Sequence, residues 1–189
     1  MSATTSNRGY GYPTSSANFS GLATDIQGLA EGVDADVEAI DVRVADIEYA
    51  PTTLMVISKT FTNNTIEQIT FTSSLWDAAG AAMWDGASNQ LVVPSGMGGL
   101  YEAGIVGRFA SQTTAAGQRN VRIYKNGAEE MSFTLPAVSN LNSTNIPVGG
   151  VTQMALSAGD IVTYWGYQNS GGSLAFTGNS RAWLRRLAK

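Results

Sequence analysis

From Leu22 to Ile47 apolar residues recur at Leu22, Ile26, Leu29, Val33, Val37, Ile40, Val44 and Ile47. Spacings of three and four place all eight on one narrow stripe of an α-helix. From about Leu54 that period stops. Short β-branched and aromatic runs, separated by Gly, Asn, Ser and Pro, replace it up to the C-terminus. A thin helical seam followed by a β-rich segment predicts an oligomeric stalk carrying a globular head. Such an architecture suits a fibre or attachment protein better than an enzyme.

The helix is predicted over Gly21 to about Glu48, with Ser20 as its N-cap and Asp25 near the positive end of its dipole. At 1.5 Å per residue it would reach about 40 Å. The seam is flanked by Asp, Glu and Ala, and Gly28 and Gly32 weaken it as a solitary helix. Self-association is therefore expected along the stripe. The extra step of four between Val33 and Val37 locally relaxes a left-handed supercoil. Before the helix, Met1 to Ser20 reads as an extended arm, in which Tyr10, Tyr12 and Pro13 are the expected anchoring residues. After it, Ala50-Pro51 ends the helix. The expected division is therefore an arm over 1–20, a helical trimerisation stalk over 21–50 and a head over 51–189.

Charge follows the same division. The segment 21–50 holds Asp25, Glu31, Asp34, Asp36, Glu38, Asp41, Asp46 and Glu48 against Arg43 alone. From Pro51 on the charges nearly balance, so the head has no basic stripe for a phosphate backbone and no nucleic-acid partner is expected. Cysteine and histidine are absent. That removes disulfides, thiolate metal sites, and every Ser-His or Cys-His mechanism. Met1 to Arg8 has no apolar stretch of a secretory signal, and no run is long enough to insert into a membrane. Neither cofactor nor metal is expected.

The head divides into candidate strands at Leu54–Thr62, Ile66–Thr72, Gln90–Val93, Leu100–Ala110, Asn120–Lys125, Glu130–Leu135, Thr152–Leu156, Ile161–Gln168, Leu174–Phe176 and Arg181–Leu187. Asn126-Gly127 is a strong hairpin signal. Many short strands without interleaved helices predict a mainly β, antiparallel sandwich or jelly roll. Gly96-Met97-Gly98-Gly99 precedes a strand, so turn geometry explains it better than phosphate binding. Asp77 and Asp85 beside Trp76 and Trp84 have a sugar-site composition and could supply a carboxylate pair or a Ca²⁺ site. An Ala/Gly-rich loop pinned by two tryptophans is the better reading of that segment. The sequons at Asn18, Asn63 and Asn142 carry no weight without a secretory signal. Arg181, Arg185, Arg186 and Lys189 around Trp183 read as rim charges of a subunit contact.

Several segments, in order, resemble the globular head of the complement C1q and tumour-necrosis-factor superfamily. They are Ile69-Thr70-Phe71, Val92-Val93-Pro94, Gly99-Leu100-Tyr101-Glu102-Ala103, Val121-Arg122-Ile123-Tyr124-Lys125-Asn126-Gly127, Leu156-Ser157-Ala158-Gly159-Asp160-Ile161-Val162 and Phe176-Thr177-Gly178. The resemblance covers about Leu54 to Leu187 and implies a ten-stranded jelly roll assembling as a homotrimer. In that assembly Tyr101, Trp165, Tyr167 and Trp183 are the expected subunit contacts. The family's metal and receptor residues do not transfer, because cysteines are missing and the Val138–Val148 loop is Asn/Ser-rich. Gly9-Tyr10-Gly11-Tyr12-Pro13, followed by Asp25-Ile26-Gln27-Gly28-Leu29-Ala30-Glu31-Gly32-Val33-Asp34, looks like the leader of tailed-bacteriophage fibre and tail-associated proteins. There the arm anchors to the virion and the helix trimerises.

These readings converge on a non-enzymatic virion protein made in the host cytoplasm, a short trimeric fibre or minor tail protein. Its arm would bind other virion proteins, and its head loops would meet a host-surface glycan or protein. The candidate display loops are Ser111–Gln118, Val138–Asn145 and Asn169–Ser173, with Gln112, Thr113, Asn140, Asn142 and Asn169 as their polar tips. A capsid decoration or head-fibre protein is the alternative on the same fold. A polysaccharide-degrading spike is the remote one.

Overall fold

The computed structural model describes residues 2–4, 11–13, 19–48, 52–77, 83–111, 117–136 and 146–189. Within the helix it describes the side chains of residues 24 and 26–41, and it describes only the backbone of 2–4, 11–13 and 77. The chain forms two compact units, Met1–Glu48 and Tyr49–Lys189.

In the first unit, β1 (Ser2–Thr4) pairs antiparallel with β2 (Gly11–Pro13), and α1 spans Phe19–Glu48. The expected extended arm therefore contains a short hairpin. Tyr12 and Pro13 lie in β2, while Tyr10 falls outside the described residues. The helix starts before the expected cap. Ser20 is already helical and no acid lies in the first turn, so neither Ser20 nor Asp25 has the predicted end role. Of the seam, Ile26, Val33, Val37 and Ile40 are exposed and Leu29 is half-buried. The side chains of Leu22, Val44 and Ile47 lie outside the described residues.

The second unit begins with β3 (Thr52–Ser58), β4 (Thr60–Phe61), β5 (Thr65–Gln68) and β6 (Thr70–Asp77). Next come β7 (Trp84–Asp85), β8 (Gln90–Val92), β9 (Gly99–Phe109), β10 (Gln118–Lys125) and β11 (Ala128–Pro136). β12 (Ile146–Leu156), β13 (Ile161–Gln168), β14 (Leu174–Ala175) and β15 (Arg181–Ala188) complete it. One sheet has the order β12-β9-β15-β3-β6; the other runs β11-β10-β13-β8-β7, with β5 also on β13, and β14 pairs β4. Every pairing is antiparallel. Two antiparallel sheets face to face make a β-sandwich, as predicted.

The principal difference is at Ile146–Val148, expected in a loop and found in β12. Pro147 hides this strand in the sequence. It is tolerated because β12 is the edge of its sheet, where a missing N–H breaks no inner ladder. Ile146 and Val148 flank it and turn inward. Asn126 and Gly127 adopt φ of 49° and 83°, and their hairpin joins β10 to β11 as expected. The Gly96–Gly99 segment turns the chain into β9 with no helix after it.

Strand direction sorts the loops. β9 ends at Phe109 opposite Ile146, the start of β12. β10 starts at Gln118 opposite Pro136, the end of β11, and Arg119 faces Gln168, the end of β13. All three candidate display loops thus leave from one end of the sandwich. The chain enters at the other, since Thr52 pairs with Arg185 near the C-terminal end of β15.

The core is built by alternation. Along β13, Val162, Tyr164, Gly166 and Gln168 are buried, while Ile161, Thr163, Trp165 and Tyr167 lie on the outer face. β9 buries Tyr101, Ala103, Ile105 and Phe109 in the same way. At the loop-bearing end Phe61, Phe109 and Phe176 pack together with centroids 4.7–5.4 Å apart; Phe176 meets the other two edge to face, and Phe61 and Phe109 are tilted by 45°. Two glycines seat this cluster: a Cβ on Gly107 would lie 2.4 Å from the Phe176 ring, and one on Gly166 2.4 Å from Phe61. Truncating Phe109 to Ala should cost about 3–5 kcal/mol, read as a lower denaturant midpoint with an unchanged m-value. A loss below about 1 kcal/mol would show that the cluster does not hold the two sheets together.

Candidate functional site

Among the described residues, three apolar surfaces bear on assembly. The first is the exposed helix seam. The second is the outer face of the β12-β9-β15-β3-β6 sheet. Trp76 faces Leu54, Leu54 faces Trp183, Trp183 faces Gly104, and Gly104 faces Val151. These five form one row across all five strands. Trp76 is 64% exposed and Val151 51%; Val56 and Val106 border the row. Trp183 lies flat because Gly104 has no side chain: a Cβ there would come within 2.0 Å of the indole. Its Nε1–H donates to Glu102 Oε1 at 3.1 Å, and Arg185 grips the same carboxylate from Nε at 2.9 Å and Nη2 at 3.1 Å. The third region is the sandwich edge beside β11, where Phe133 is exposed and Met131 packs on the Gly150 position of β12.

The expected subunit contacts separate. Trp183 lies on the apolar row. Trp165 and Tyr167 lie on the outer face of the opposite sheet, where Tyr167 donates to Asn64 Oδ1 at 2.7 Å. Tyr101 is a correction. It is completely buried inside one copy and donates to the Met97 carbonyl at 2.5 Å, so it cannot touch a neighbour. Burial pushes its hydroxyl pKa up to about 12. Arg186, read as a rim charge, is likewise an inward residue, because it takes the buried phase of the β15 alternation. Nothing in the sequence marked Arg119, also buried.

Of the display loops, Gln112, Thr113, Asn140 and Asn142 lie outside the described residues. Asn169 does not present its amide oxygen outward; that oxygen accepts the Gln118 N–H at 2.5 Å. Buried Gln168 fixes the turn after it. Its Nε2 donates to the carbonyls of Gly172 (2.8 Å) and Phe61 (3.2 Å), and its Oε1 accepts from the N–H and hydroxyl of Ser170. Asn63 Oδ1 accepts the Gly171 N–H at 2.8 Å. The described part of the loop-bearing end is thus held by side-chain amides.

Carboxylate chemistry is poorly provided for. Asp85 accepts from the Ser88 hydroxyl, the Ala87 N–H and Gln90, closing the turn between β7 and β8. The Ser88 bond, then the backbone one, hold its carboxyl below the usual range, the opposite of what a general acid requires. Glu67, Glu102, Glu129 and Asp160 are each paired with a cation. The Asp77 side chain lies outside the described residues. Among the described residues no group of three potential metal ligands converges, and no helix is long and apolar enough to cross a membrane.

No family model matches the chain, and no curated protein matches its sequence. Solved structures do share its fold. The globular domain of zebrafish complement 1qA protein is 15% identical with a TM-score of 0.54, covering 74% of this chain and 98% of that one. Murine APRIL at pH 5.0 gives 11% identity, a TM-score of 0.54 and coverage of 73% and 99%. Eiger TNF from S. frugiperda gives 10%, 0.52, and coverage of 74% and 94%. The head therefore has the jelly-roll fold of C1q and TNF domains. At such identities the likeness establishes the fold alone.

Asp160 supplies a pH test. Asn126 Nδ2 and the Ser157 N–H each donate to its carboxylate at 2.8 Å, with Lys125 at 3.3 Å. The Asn126 bond, then Ser157, hold its pKa below the ordinary value. Glu102 is also held low, by Arg185 first and then Trp183. A depressed carboxyl contributes stability that is complete above the unfolded pKa and disappears as pH falls through the folded one. The thermal midpoint should therefore drop from about pH 4 downward, and less steeply in Asp160→Asn. Parallel profiles would refute a role for Asp160.

Proposed function

We propose that this protein is a homotrimeric, non-enzymatic virion component, a short fibre or minor tail protein of a bacteriophage that presents its head to the host surface. The observation carrying the assembly is the outward-facing row Trp76–Leu54–Trp183–Gly104–Val151, exposed at Trp76 and Val151. A contiguous apolar face on a folded chain is a mark of an interaction site. The second patch, at the Phe133 edge, differs in shape from the first. An edge of one copy laid on the face of the next is a heterologous contact, which closes into a ring at a suitable rotation. Three is the number the C1q/TNF resemblance implies. The exposed seam of α1 supports the same conclusion independently, because a narrow stripe of Ile and Val suits burial against like helices.

The attachment role is supported by polarity within the head, since the three candidate display loops leave from the end opposite Thr52. The virion assignment rests on the leader resemblance through Gly9–Pro13 and Asp25–Asp34. Tied carboxylates and the absence of histidine support a non-enzymatic duty.

Sedimentation equilibrium of the full chain at micromolar concentration should give three times the 19.9 kDa chain mass. Trp76→Asp with Val106→Asp should shift it toward monomer without unfolding the head, and Ile26→Asp with Ile40→Asp should weaken it further, because a charge in a buried seam is desolvated without a partner. A monomeric wild type would reject the proposal. Immunogold labelling of particles should place the protein on the tail; label confined to the capsid would favour the decoration alternative, and unlabelled particles would exclude a virion role.

A further inference from the structure

The outer face of the second sheet carries a trough that the proposed assembly does not use. It has a volume of about 300 Å³ and is lined by Ile66, Tyr124, Gly127, Thr163 and Trp165. That is the lower end of the range for small-molecule sites, roughly 300–1,000 Å³. Tyr124 and Trp165 form its aromatic wall, with centroids 5.7 Å apart and planes at 51°. Both side chains are held. Trp165 Nε1 donates to Thr163 Oγ1 at 2.9 Å, and the Tyr124 hydroxyl donates to Glu129 Oε2 at 3.1 Å. Arg122 braces that carboxylate from Nη1 at 2.7 Å and reaches Asn120 Oδ1 from Nε at 2.7 Å. β13 has strand partners on both sides, β10 on one and β5 and β8 on the other, so the trough is a rigid surface.

We propose that this trough binds a neutral saccharide of the host surface. Its chemistry is mixed in the way a sugar ring is. Aromatic faces attract the polarised C–H groups of a pyranose, while the Thr163 and Tyr124 hydroxyls and the Arg122–Glu129 pair supply polar partners at the margin. Charge decides against other stacking ligands. A nucleotide or acidic glycan needs an uncompensated cation, but Arg122 is paired with Glu129, and Lys125 lies 3.3 Å from Asp160. An added peptide strand finds no unpaired backbone on β13. A second copy is expected on the opposite sheet, where the Trp76–Val151 row lies.

The inference builds on the attachment role proposed above, and the two fail separately. The full-length chain is applied to an array of neutral and anionic glycans that includes bacterial surface polysaccharides, and hits are measured by calorimetry. Neutral glycans should bind, and Trp165→Ala and Tyr124→Ala should each lose at least about tenfold in affinity while keeping the wild-type circular dichroism. Ser95→Ala, in the exposed turn after Pro94, should bind normally. Binding of anionic glycans only, no binding, or binding unaffected by Trp165→Ala would overturn the site. The same samples are sedimented. A wild-type monomer strikes the assembly alone, whereas a trimer that dissociates on Trp165→Ala would make this face a subunit interface and overturn the saccharide site.

Discussion

Alternation along the long strands divides the apolar side chains of the head between an interior that one copy fills and an exterior that one copy leaves open. In β9 and β13 every second residue is committed to the core, where the three phenylalanines rest on two glycines. The intervening positions must face outward. On one sheet they carry Trp76, Leu54, Trp183 and Val151 in a single row. Lys, Glu or Thr at these positions would have given the sheet a polar outer face. Their apolar character is what the proposed assembly rests on.

The same strand geometry gives the head two ends of different construction. At one end the chain enters at Thr52, and Asn126, Gly127, Gly159 and Asp160 make tight turns cross-linked by the Asn126–Asp160 bond. At the other end the long connections emerge beside Gln168 and Asn169, whose amides satisfy backbone groups that have no strand partner. Functional surfaces commonly sit on loops carried by a rigid scaffold. Here the scaffold also carries an aromatic trough on its side, so the proposed recognition need not be confined to the loops.

Much of the fold was legible. The break in period after Ile47 separated helix from sheet, and alternation at Ile161–Gln168 gave both bounds of β13. Asn126-Gly127 fixed a hairpin because only φ > 0 residues turn so tightly. The errors have specific causes. Pro147 disguised the start of β12, since an edge strand accepts a proline that an inner strand would not. Tyr101 and Trp183 both looked like interface aromatics. Which faces inward depends on the phase of the alternation, and one step of register reverses it. At Asp85 beside Trp84 the structural reading was the better one, and its oxygens close a turn. The trough escaped the sequence reading because Ile66 and Gly127 are far from Trp165 in sequence and meet it only through the pairing of β13 with β5 and β10.

The central claim is that one copy's apolar face is covered by another copy. A density map of the full-length protein in solution, by electron cryo-microscopy, tests it most directly. The account predicts a three-fold axis, with the Phe133 edge of each head seated on the Trp76–Leu54–Trp183 row of its neighbour. A map in which that row faces solvent, with no second copy against it, would contradict it.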